Sequence, residues 1–195
     1  MDQEKPLPYL AKVVGEIDNG HGVWKSYKIG VFKLKEGPCS SVDAIYEEQI
    51  GEYVCHYSLM KTFFPFAFND KEYALFSAPD YTAARVMELP SCKDIGGEEA
   101  SAYGFCPVEF FVIPGTSHGF VAGCAWWDDT SWKIQYLDLS EVDKGIIKRS
   151  EKFGYVEMPD DMSLSDCITY EADEDAVYFK LACSKSFDIK TGKEL

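Results

Sequence analysis

Residues 120–139 read Phe120-Val121-Ala122-Gly123-Cys124-Ala125-Trp126-Trp127-Asp128-Asp129-Thr130-Ser131-Trp132-Lys133-Ile134-Gln135-Tyr136-Leu137-Asp138-Leu139. A short apolar run meets an acidic pair, and an alternating segment follows. From Trp132 to Tyr136 the alternation sets Trp132, Ile134 and Tyr136 on one side and Lys133 and Gln135 on the other. That is the period of a strand, not of a helix. With Asp128-Asp129 as the turn, the stretch predicts a β-hairpin.

The same signals recur outward in both directions. Tyr53-Val54-Cys55-His56-Tyr57-Ser58-Leu59 places Tyr53, Cys55, Tyr57 and Leu59 on one strand face. Residues 23–34, 72–77, 83–89, 108–113, 155–158 and 176–183 also read as strands. Asn19-Gly20, Asn69-Asp70, Pro79-Asp80 and Thr191-Gly192 supply turns between or beside them. Phe63-Phe64-Pro65-Phe66-Ala67-Phe68 reads as a core strand with a proline-marked bend or edge, and an outward ring there would mark a docking surface. Helical signals are confined to residues 41–50, opened by Ser41, and to one turn over residues 140–145, capped by Ser140 with Asp143 three positions on. The expected fold class is mainly β and antiparallel.

The chain has 195 residues, 46% apolar and 15% aromatic, which is enough for a substantial core and argues against disorder. No long linker or low-complexity tract divides it, so one domain over residues 1–195 is expected, with residues 1–8 able to fray. Lys and Arg number 19 against 33 Asp and Glu, a net charge of −14. Phosphate would repel such a chain overall, so direct nucleic-acid binding is not expected. No apolar run is long enough for a membrane-spanning helix. The opening Met1-Asp2-Gln3-Glu4-Lys5-Pro6 lacks the basic-then-apolar order of a secretory leader, so a cytoplasmic protein is expected. The seven cysteines are odd in number and show no C-x-x-C spacing, which predicts reduced, mostly buried thiols.

A longer period underlies the strands. Met87-Glu88-Leu89, Leu137-Asp138-Leu139 and Phe187-Asp188-Ile189 share an apolar–acidic–apolar pattern and recur 50 residues apart. Each follows an apolar strand and a short polar turn. Phe32-Lys33-Leu34 is a looser fourth copy with lysine in place of the acid. A period of about 50 residues is near the length of a four-stranded propeller blade. The hairpin pairs resemble blades of a β-propeller, in the manner of kelch or WD repeats, with Trp127-Asp128 and Gly96-Gly97 as single instances of the dipeptides those repeats carry. The resemblance implies a small propeller. A two-sheet sandwich or a barrel is the alternative that the strand pattern leaves open.

Chemistry-bearing residues are scattered. His21 and His118 sit in glycine-bearing loops, and Asp128 and Asp129 sit at a turn; folding could bring these four into a hydrolytic site, metal-assisted or not. Val54-Cys55-His56 cannot supply a nucleophile–base pair from one strand, because strand neighbours point to opposite faces. No zinc-type spacing and no phosphate-binding loop is present, so neither metal nor cofactor is expected. Trp126, Trp127 and Trp132 flank the acidic pair and suit stacking on a sugar or a basic side chain. The expected function is an interaction or ligand-binding β scaffold without catalysis, whose partner is a protein or small molecule, with a basic surface favoured by the net charge. A hydrolase using the loop-borne histidines and aspartates is the alternative.

Overall fold

The computed structural model describes residues 7–18, 25–39, 42–56, 63–77, 83–97, 105–125, 128–149, 156–158, 163–173, 176–181 and 186–188. Four antiparallel sheets follow one another along the chain. The first comprises β1 (Tyr9–Ile17), β2 (Ser26–Cys39) and β3 (Val42–His56). The second comprises β4 (Phe63–Phe68), β5 (Lys71–Ser77), β6 (Ala84–Leu89) and β7 (Lys93–Gly97). The third runs β8 (Phe105–Val112), β9 (His118–Ala125) and β10 (Asp128–Asp138), with β11 (Lys148–Arg149) and β12 (Val156–Met158) both pairing to β10. The fourth is β13 (Ile168–Asp173), β14 (Ala176–Leu181) and β15 (Ser186–Asp188), preceded by a single helical turn, α1 (Leu164–Cys167). The all-β antiparallel expectation is met. Each sheet is an open path that does not close on itself.

The second sheet is a middle layer. Tyr73, Leu75, Ala84 and Val86 pack with Phe110, Val112, Val121, Leu137 and Leu139 of the third sheet and the segment after it. Ala74, Phe76, Met87 and Leu89 face the other way, against Tyr9 and Val31 of the first sheet. Both faces of β5 are therefore buried, which is why Ala74-Leu75-Phe76 is a continuous apolar run and not an alternation. Each large side chain so buried contributes roughly 1.5–3 kcal/mol. Pro65 lies in β4, at the sheet's edge, where its missing N–H costs no ladder bond. Asn69 and Asp70 close the β4–β5 hairpin with φ of 50° and 58°, the paired left-handed geometry of a two-residue turn.

Residues 42–50 are strand, not the short helix that their serine cap and acidic start predict. They belong to β3, which pairs with β2 over fourteen residue positions, Ser26↔His56 to Cys39↔Val42. An isolated short helix is marginal in water. The hairpin instead gains a ladder bond at alternate positions and an ion pair of Glu48 with Lys35, and Glu47 pairs with Lys12 of β1. The turn expected over residues 140–145 is present as a single 3-10 turn, Val142–Lys144, closed by Gly145 at φ 72°. Its N-cap position is Glu141, not Ser140, and carries no side-chain cap bond. Asp138 accepts the Ser140 N–H at 2.9 Å in its place.

Candidate functional site

The polar cluster with most structure around it lies where β9 begins and β10 ends. The β8–β9 connection is short and tied down. Thr116 donates its hydroxyl to the Ile113 carbonyl at 2.9 Å and accepts the His118 N–H at 3.1 Å. The Ile113 N–H reaches the His118 carbonyl at 2.9 Å, and the Leu139 N–H reaches that of Ser117 at 2.8 Å. His118 is thus the first residue of a paired strand, not a member of a free loop as its glycine neighbours suggest.

Register then assembles the site. His118 pairs with Asp138 and Phe120 with Tyr136, so the four side chains share one sheet face. The His118 Nδ1 stands 2.6 Å from the Tyr136 hydroxyl, and Phe120 packs edge-on against the Tyr136 ring at 5.8 Å. Tyr136 is buried, and loss of hydration pushes its phenol well above the ordinary range, with the Asp138 charge adding to the shift. The phenol therefore stays protonated and can donate to an imidazole nitrogen. What the cluster offers chemically is a fixed imidazole orientation at the sheet's end. In the sequence the only signal for Tyr136 as the partner of His118 is its place on the alternating face of residues 132–136.

The other candidates are placed as follows. Asp128 pairs with Ala125 and opens β10, and Asp129 follows it in the same strand, so the acidic pair begins the strand where a turn is expected. His118 pairs with Asp138 at the far end of β10 from Asp128. On β9 the same span runs from Ala125 to His118, seven residues or about 23 Å of strand. The structure does not bring His118 together with Asp128 and Asp129. Trp132 lies within β10, with backbone partners Cys124 on one side and Met158 on the other. Trp126, Trp127 and His21 lie outside the described residues. Among the described residues no three His, Cys, Asp or Glu side chains are placed to hold a metal ion. No helix among them is long and apolar enough to cross a membrane.

Exposed apolar surface is concentrated elsewhere. Val14, Ile45, Tyr46 and Val54, all on the first sheet, are exposed large apolar residues, as is Ile146. Val14, Ile45 and Val54 lie on the face turned away from the second sheet, because Val31 and Tyr53 on the opposite face pack against it. Lys12 lies over the Phe32 ring on that outward face at 4.4 Å. Comparison of the chain with protein-family models, with curated proteins and with solved structures finds no match.

Proposed function

We propose that this protein is a non-catalytic β scaffold that binds a protein or small-molecule ligand. The observation that carries the reading is the set of exposed apolar side chains on the first sheet, Val14, Ile45, Tyr46 and Val54. Val14, Ile45 and Val54 share the outward face and Tyr46 lies on the other, and apolar side chains left exposed on a sheet favour association. Trp126, Trp127 and Trp132 form a second contact region in this reading, and the net charge of −14 favours a partner with a basic surface. The separation of His118 from Asp128 and Asp129 along β10 weighs against the hydrolytic alternative.

The scaffold is, in this proposal, one domain of blade-like repeats. Supporting it, Met87-Glu88-Leu89, Leu137-Asp138-Leu139 and Phe187-Asp188 fall on or at the end of β6, β10 and β15, each the third strand of its sheet, while Ile189 lies outside the described residues. Met87 and Leu89 pack toward the preceding sheet, and so do Leu137 and Leu139. A stack of meanders each facing its predecessor is how propeller blades pack. The compartment is the cytoplasm, a reading supported by Cys55 and Cys92, neither of which is disulfide-bonded.

The test joins stability, binding and turnover. Trp127→Ala should leave the melting temperature within a few degrees and weaken ligand capture. Ester, phosphate and glycoside substrates should show no turnover that depends on His118. Turnover abolished by His118→Ala would sink the scaffold reading.

A further inference from the structure

We propose that the outward edge of β3, over residues 42–49, accepts an extended basic segment of a partner protein as an added strand of the first sheet. This rests on the scaffold reading above and names its surface and its partner chemistry.

The sheet order places β3 at an edge, and among the described residues no strand pairs with its outer side. At 15 residues it spans about 50 Å, longer than most strands. Native edges of that length are usually blunted by lysine, proline or a cover. From Val42 to His56 there is no Lys, Arg or Pro. The charged residues there are Asp43, Glu47, Glu48 and Glu52. Pairing of β1 with β2 stops at Tyr9↔Lys33, so Leu34 to Cys39 and their β3 partners form a two-stranded arm beyond β1. On that arm Ile45 is 69% and Tyr46 48% exposed. As strand neighbours they project from opposite faces, so the arm offers an open backbone with an apolar anchor on each side.

Charge selects the occupant. Lys12 and Lys35 meet Glu47 and Glu48 from the β1–β2 side. β3 itself carries acids and no Lys or Arg along this edge. A second copy paired antiparallel about this segment would set Glu47 and Glu48 against their own equivalents, and like charges directly opposite destabilise a sheet. A strand reading basic, basic, apolar, apolar in antiparallel register sets its cations against Glu48 and Glu47 and its apolar pair against Tyr46 and Ile45. Main-chain bonds then supply affinity and the alternating side chains supply specificity.

The probe is a short peptide with Lys-Lys-Val-Val at its centre, titrated into the full chain, with Glu-Glu-Val-Val as the control. The basic peptide should bind, slow amide exchange over residues 42–49, and lose affinity as salt is raised. Glu47→Gln with Glu48→Gln, at two exposed side chains, should weaken it roughly fivefold without changing the fold. Absence of binding overturns the proposal, as does equal binding of the acidic control. Protection confined to another surface also overturns it, and a peptide-free dimer protected over residues 42–49 replaces the partner with a second copy. None of these touches the scaffold reading, which stands or falls on His118-dependent turnover.

Discussion

The Tyr9 hydroxyl donates a 2.6 Å hydrogen bond to the Glu72 carboxylate, fastening β1 of the first sheet to β5 of the second. Tyr9 is buried in the core the two sheets share, and Glu72 is half-buried. Removing the hydroxyl leaves Glu72 some access to water, so Tyr9→Phe should cost about 1–2 kcal/mol. Urea unfolding measures it; an unchanged midpoint would mean that apolar packing alone holds these sheets together.

Gly145 approaches Ile95 too closely for any side chain. Its φ is 72°, and an added Cβ would stand 2.7 Å from the Ile95 carbonyl carbon and closer still to the oxygen. Gly115 has φ 71° with nothing within 4 Å. Gly115→Ala should therefore cost only the left-handed penalty, about 1 kcal/mol. Gly145→Ala should cost at least about 2 kcal/mol more, because backbone must move. Equal costs for the pair would show that the turn can shift away from β7.

Leu137 is fully buried between the second and third sheets. Leu137→Ala should destabilise by about 2–5 kcal/mol through lost burial and a residual cavity. Ile45→Ala, on the exposed arm, should stay within about 0.5 kcal/mol. A comparable loss at both positions would mean that Ile45 is covered in solution.

Burial raises the phenol pKa of Tyr136 and, more weakly, of Tyr73; at Tyr9 the Glu72 hydrogen bond and charge add to burial. A raised folded-state value means that the native protein holds the proton more tightly than the unfolded chain. The stabilisation is complete below about pH 10, the ordinary phenol range, and is lost as pH climbs through the raised values. These three tyrosines should ionise late, together with alkaline unfolding. Phenolate absorbance followed beside circular dichroism checks this, and Tyr136→Phe should remove one late titration.

Burial pushes the Cys55 thiol up to about 11, while Cys92 is half-buried and raised by the same cause. Because the thiolate is the reactive form, Cys92 should be alkylated in the native protein well before Cys55. Mass-spectrometric mapping of a timed alkylation decides it. Reaction of Cys55 at the rate of Cys92 would show that the first sheet opens locally.

What could be read along the chain was local. The alternation of Tyr53, Val54 and Cys55 predicts a strand with Cys55 inward, and Cys55 is buried while Val54 is exposed. Asn69-Asp70 predicts a turn because those residues tolerate positive φ, and the structure closes a hairpin there. The strands over residues 72–77 and 83–89 follow from apolar runs bounded by turn residues, and they lie within a residue of β5 and β6. Side-chain period and turn chemistry act over a few residues, so one sequence suffices to read them. Pairing is different. Residues 41–50 carry a helix's opening signals, yet β2 supplies a ladder over fourteen positions that makes residues 42–50 a strand. In the third sheet, Ala125 pairs with Asp128 but Cys124 with Trp132, so residues 129–131 bulge out of register. Without that bulge Tyr136 would stand opposite Ser117; with it, Tyr136 stands opposite Phe120 and meets His118 at 2.6 Å. A shift of an odd number of residues exchanges the two faces of a strand. The sequence by itself determined that segments such as 72–77 and 83–89 are strands and that the chain turns at Asn69-Asp70. The neighbouring strand decided which face each side chain takes, because the backbone bonds that set register join residues distant along the chain.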